Sequence, residues 1–175
     1  MPEESTESTA SDGQSIPTDL ATRVARLEAI EEIRALKLKY ARYCDAGYPP
    51  DELAALFTED AVWDGDEAHF GVHRGRDAIR QFFAEISATF IFAMHYTLGG
   101  VIDVSTDLQS ASGAWYLWEP CTIVQEDAPH CMWVMGNYAE DYRKASGQWR
   151  FSTMTVRFSS ISRADEGWVR RQFAL

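Results

Sequence analysis

The order of patterns along the chain predicts an α+β domain: N-terminal helices close the mouth of a cone-shaped half-barrel made by a curled antiparallel sheet. Three observations carry this. Apolar residues recur at helical spacing through Leu20–Asp45 and again through Gly75–Ser87. Four long β-patterned runs follow, Phe90–Val104, Ser110–Gln125, Cys131–Arg143 and Trp149–Arg163, separated by Ser105–Gln109 and the turn-rich stretches EDAPH and KASGQ. That spacing makes an antiparallel meander. Strands of this length twist and bend, so the sheet curls around whatever covers its concave face, and a pocket is the expected result.

The first helix organises the rest. Thr18 is its expected N-cap, and Ala29 or Ile30, Ile33, Leu36, Tyr40 and Tyr43 or Cys44 form its apolar stripe. Tyr40 therefore carries a hydroxyl into the core, where it needs a partner or a cavity. Asp45 follows five residues later, and Gly47 with Pro49-Pro50 ends the helix there. A carboxylate at a helix C-terminus opposes the dipole, so it is either solvated or held by a specific partner. Next, a short helix opens at Pro50 and carries Leu53, Leu56 and Phe57; Ala61–Asp64 and Glu67–His73 read as two short strands about a Gly65-Asp66 turn.

The chain has 175 residues, 46% of them hydrophobic, enough for one well-filled domain over residues 18–163. Residues 1–17 are small, polar and acidic and are expected to be disordered, and residues 164–175 form a C-terminal extension. A net charge of −11 without a basic stripe argues against nucleic acid and membrane surfaces as partners. No apolar run reaches membrane-spanning length and no signal-peptide pattern opens the chain, so a cytoplasmic location is expected. Three cysteines without a CxxC suit free thiols. His69 and His73 lie about 13 Å apart if extended, too far for one metal ion, and no nucleotide-binding glycine loop occurs. No metal and no cofactor is expected.

Alternation selects further candidates. Gly113, Trp115, Leu117, Glu119, Cys121 and Ile123 share one face of the second long run, and Glu119 on that face needs a partner. Trp149, Phe151, Thr153, Thr155 and Arg157 share a face of the last run, which makes Arg157 the expected cation opposite Glu119. His95, in FAMHYTL, is shielded by apolar neighbours. Trp63 and Trp115 complete the candidate substrate-contacting set. The aromatic content of the strands, with Trp133, Tyr138, Tyr142 and Trp149, exceeds what one domain is expected to bury and predicts self-association.

The segments KLKYARYCDAG, DELAALFTEDAVW, GRDAIRQFF, AMHYTLGG, GAWYLWEP and GQWRFSTMTVRF resemble the SnoaL-like branch of the nuclear transport factor 2-like superfamily, from about Ala21 to Ile161. Within it the motifs are most similar to the bile-acid 7α-dehydratases and, more distantly, the scytalone dehydratases. The resemblance implies a cone-shaped sheet closed by helices and a homotrimer or homodimer built through the sheet. It selects Tyr40, Asp45, His95, Glu119 and Arg157, the same five residues chosen by spacing; Glu119 stands where the bile-acid enzymes carry Asp, and Trp118 precedes it. The implied function is a cofactor-free dehydratase or related isomerase acting on a hydrophobic hydroxylated carbonyl compound, steroid-like or aromatic polyketide-like. His95 would transfer the proton with Asp45 orienting it, Tyr40 would donate to a substrate oxygen, and Glu119 would pair with Arg157. A binding or assembly protein of the same fold is the alternative.

Overall fold

A computed structural model describes residues 19–65 and 70–174. The acidic tail, the Thr18 cap and the first part of the Glu67–His73 strand fall outside these residues. Asp19 caps α1 (Leu20–Asp45): its carboxylate accepts the Thr22 amide at 3.0 Å. The buried stripe of α1 is Ala29, Ile33, Leu36, Lys37, Tyr40, Ala41 and Cys44, so the expected row gains a lysine. Gly47, at φ 90°, turns the chain out of the helix.

After α2 (Pro50–Ala54) comes β1 (Phe57–Asp64), which takes residues expected to end the short helix, then β2 (Val72–Arg74) and α3 (Arg76–Ile86). The first long run is two strands, β3 (Phe90–Ala93) and β4 (Tyr96–Val104), and β5 (Ser110–Gln125), β6 (Ala128–Ala145) and β7 (Gln148–Arg163) follow as the meander. Both β3 and β4 pair antiparallel with β5, and the sheet order is β2-β1-β7-β6-β5-β3. The sheet is curled and unclosed but mixed rather than purely antiparallel. β1 runs parallel to β7, because the segment leaving α2 at Leu56, whose carbonyl accepts the Phe151 amide at 3.0 Å, continues along the bare edge of β7.

The break in the first run has a cause in β5. The Met94 amide donates to the Pro120 carbonyl at 3.1 Å, and the return bond of that pair is impossible because proline has no N–H. The ladder therefore lapses at Met94 and His95 and resumes at Tyr96, opposite Trp118.

The concave face packs against α1 and α3. Tyr40 lies edge-on to Phe57, Phe83, Tyr138 and Phe151, with centroids 5.7–6.4 Å apart. Tyr138, Tyr142 and Trp149 are buried in this core and only Trp133 is partly exposed, so three of the four aromatics offered for self-association are consumed within the chain. Their rows on β6 and β7 face inward, towards the helices. After α4 (Gly167–Arg170) the chain returns to the sheet, where the Ala174 amide donates to the Ile161 carbonyl at 2.7 Å. Among the described residues no helix is long and apolar enough to cross a membrane.

Candidate active site

A cavity of about 50 Å³ lies between the helices and the concave sheet. Its wall is aromatic and aliphatic, with Tyr40, Tyr48, Trp63, Phe82, Phe83, Phe90, Tyr138 and Phe158 among the residues lining it; His95 and Glu119 also face it. Tyr40 comes from α1, Trp63 from β1, Glu119 and Leu117 from β5, and His95 from the gap between β3 and β4.

That gap explains the setting of His95. With its ladder interrupted, its backbone N–H is free to donate to Asp45 Oδ1 at 2.7 Å, and its ring Nδ1 meets the same oxygen at 2.9 Å. A carboxylate oxygen that accepts the amide also accepts from Nδ1, so the ring hydrogen sits there and Nε2 turns its lone pair to the cavity. Asp45 is thereby held at the helix C-terminus by two donors that offset the adverse dipole. The His95 side chain is 6% exposed.

Nε2 faces Glu119 Oε2 at 3.6 Å, beyond hydrogen-bond length. Glu119 is buried, and its other oxygen, Oε1, is a buried acceptor with no hydrogen-bond partner among the described residues. Burial pushes the Glu119 carboxyl up from its ordinary range; neighbouring His95 opposes this and Asp45 adds to it. Trp63 Nε1 donates to the Tyr40 hydroxyl at 3.4 Å. Burial holds that phenol well above its ordinary value, so it remains a donor at neutral pH.

Tyr40, His95, Glu119 and Trp63 thus meet in one cavity, with Asp45 behind His95. Arg157 is placed elsewhere. β7 carries a bulge at Ser152, since Phe151 pairs with Tyr142 and Thr153 with Asp141. The extra residue reverses the alternation: Met154 and Val156 point inward, and Arg157 reaches Asp64 at 3.4 Å rather than Glu119. Trp115 is inward, as expected, but its Nε1 donates to the Tyr142 hydroxyl at 3.0 Å and it does not line the cavity.

Two features escaped the sequence reading. Tyr48 enters the cavity from a left-handed backbone position at φ 58°, its ring 6.0 Å from that of His95; a polar-looking turn gave no sign of it. Lys37 and Glu140 form a buried ion pair. Alternation in β6, where Val134, Tyr138, Glu140 and Tyr142 share the buried row, was the available signal. Among the described residues no three His, Cys, Asp or Glu side chains are grouped as metal ligands.

Comparison with known proteins bears on this geometry. The profile of the SnoaL-like domain matches residues 25–155, and no curated protein matches. Solved structures share the fold. A scytalone dehydratase-like protein of Novosphingobium aromaticivorans is 25% identical with a TM-score of 0.65, covering 81% of this chain and 89% of its own. The hexachlorocyclohexane dehydrochlorinase LinA type 2 superposes with a TM-score of 0.72 at 17% identity over 81% of this chain and 92% of that one. A protein of N. aromaticivorans described as an aromatic ring hydroxylase gives a TM-score of 0.68 at 24% identity, over 79% and 94% of the two chains. With the profile spanning well over half of its length, the chain belongs to the SnoaL-like domain family, within the nuclear transport factor 2-like superfamily.

Proposed function

We propose that the protein is a dehydratase, or a closely related isomerase, that acts through its own side chains on a compact hydrophobic ring bearing a carbonyl and a hydroxyl group. One observation carries the reading: a buried, unpartnered carboxylate oxygen of Glu119 beside the unengaged Nε2 of a histidine whose other nitrogen is fixed. A structural carboxylate would have its acceptors satisfied; this one is completed by a donor from a ligand. The dehydratase-like names among the structural neighbours point the same way.

The steps balance within the site. His95 Nε2 takes the proton from the carbon next to the carbonyl, and the electron pair moves to the carbonyl oxygen, where the Tyr40 hydroxyl receives it. Glu119, whose proton burial holds more tightly than usual, gives that proton to the departing hydroxyl as the carbon–oxygen bond breaks, and water leaves. His95 then returns its proton across the 3.6 Å gap to Glu119, and both groups are reset. Without the second step the same proton, returned to another carbon of the enolate, gives isomerisation. The aromatic wall suits a flat ring. A cavity of about 50 Å³ admits a single ring's reacting edge.

The test is a panel of hydroxylated cyclic enones and aromatic ketones, with water loss followed by growth of conjugated absorbance. The wild type is expected to convert at least one compound, and His95→Ala to lose about 100- to 10,000-fold in rate while remaining folded. Equal rates in folded His95→Ala would remove His95 from the chemistry. Binding without turnover across the panel would make the protein a carrier of the same fold.

A further inference from the structure

Behind the cavity lies a group of buried polar side chains that the steps above do not use. Lys37 of α1 is fully buried, and its ammonium is paired with Glu140 of β6. Tyr142 donates to the other Glu140 oxygen, and Trp115 Nε1 donates to Tyr142 at 3.0 Å. Desolvation offsets most of what such a pair gains, so net stability does not account for it. Its placement does. The Lys37 nitrogen sits 3.2 Å from the centre of the Tyr138 ring and 5.0 Å from that of Tyr40, and both rings line the cavity.

A cation held against the face of a phenol draws electron density from the ring and makes its O–H a stronger donor. Resting on the reading of the cavity as a place where charge develops on a substrate oxygen, we propose that Lys37 is a positioning residue of that site: fixed by Glu140, it holds Tyr138 and Tyr40 in place and strengthens their hydroxyls as donors to an oxyanion. Tyr138 then joins Tyr40 as the second donor. Both phenols remain protonated, burial being the main cause. Trp115 and Tyr142 serve the same end indirectly by holding Glu140.

The test reads affinity rather than turnover. Full-length protein is titrated calorimetrically with phenols of graded acidity and with toluene, which lacks the oxygen. In the wild type, affinity rises as the phenol becomes more acidic. The paired replacement Lys37→Met with Glu140→Gln removes both charges together; it is expected to weaken the most acidic phenol by about threefold to thirtyfold and leave toluene unchanged. Tyr138→Phe keeps the ring and the seat of the ammonium and is expected to flatten the dependence on acidity in the same way; it decides the matter if the paired variant does not fold. An undiminished dependence in folded Tyr138→Phe, or in the folded paired variant, overturns the proposal and leaves a structural ion pair. Wild type that binds neither phenols nor toluene sinks the site and the role of Lys37 together. Wild type that shows the graded dependence but dehydrates nothing sinks only the reaction and supports the role of Lys37.

Discussion

Glu119 is the residue whose replacement separates chemistry from stability. Its carboxyl is buried with one oxygen unpartnered, and burial raises its pKa in the folded protein above the unfolded value. Below the ordinary carboxylate range the group is protonated in both states and adds no pH-dependent cost. As pH rises past that range the unfolded chain ionises first, and stability falls until the folded-state pKa is passed. Glu119→Gln does not titrate. It is expected to match the wild type near pH 4 and to exceed it increasingly as the pH rises to neutral, while losing activity. Urea unfolding at several pH values checks this, and equal stability at all of them would show that the carboxylate is satisfied. Tyr40, Asp45, His95 and Glu119 were legible because each stands out against its own periodicity, a polar group on an apolar stripe or at a helix end. Arg157 was misplaced by one bulged residue, which alternation does not register. Tyr48 was invisible because a positive φ, not a pattern, brings it inward.

Among the elements, α1 and the meander were legible from period and turn chemistry, and the departures came where the ladder is locally interrupted. Pro120 splits the first long run and frees the His95 amide for Asp45; a proline inside a β-patterned run was the sign of it. Gly136 marks a second register shift, between β6 and β7. A Cβ added there would lie 2.4 Å from the Arg157 carbonyl oxygen, a backbone atom that cannot swing aside. Gly136→Ala is therefore expected to cost about 1–3 kcal/mol in urea unfolding, by forcing the two strands apart. No loss would mean that the bulge relaxes freely. The attachment of α1 to β6 gives a second expectation at this scale. Lys37→Met alone leaves the Glu140 charge buried and is expected to cost about 3–5 kcal/mol, most of it recovered when Glu140→Gln is added. Additive losses in the double variant would contradict a coupled pair.

For the molecule as a whole, the concave side is consumed by the core and the cavity, and the convex side carries an exposed apolar patch. Its rows run across three strands: Tyr96 and Leu98 on β4, Tyr116 and Trp118 on β5, and Trp133 and Met135 on β6, with Tyr96 opposite Trp118, Leu98 opposite Tyr116, and Trp118 opposite Met135. Trp118 and Trp133 stack at 5.2 Å, and Tyr96, Leu98 and Tyr116 are about half exposed or more. We propose that this face joins copies of the chain into the homodimer or homotrimer expected from the sequence. The residues that prompted that expectation are mostly buried, but this second set supplies the surface. Charge decides which kind of surface is usable: each copy carries −11, so copies repel except where they meet over an uncharged patch, and none of these six residues is charged. Association should therefore strengthen as salt screens the remaining repulsion, the opposite of what a salt-bridged interface would show. Sedimentation at micromolar concentration is expected to give a multiple of the 19.8 kDa chain mass, with a larger share of the multiple at 0.5 M salt than at 0.05 M. Tyr116→Glu, which places a carboxylate in the middle of the patch and touches neither core nor cavity, is expected to return the protein to the single-chain mass without change in its melting of secondary structure. A wild type that stays at the single-chain mass at high salt would leave the convex face without a partner of its own kind.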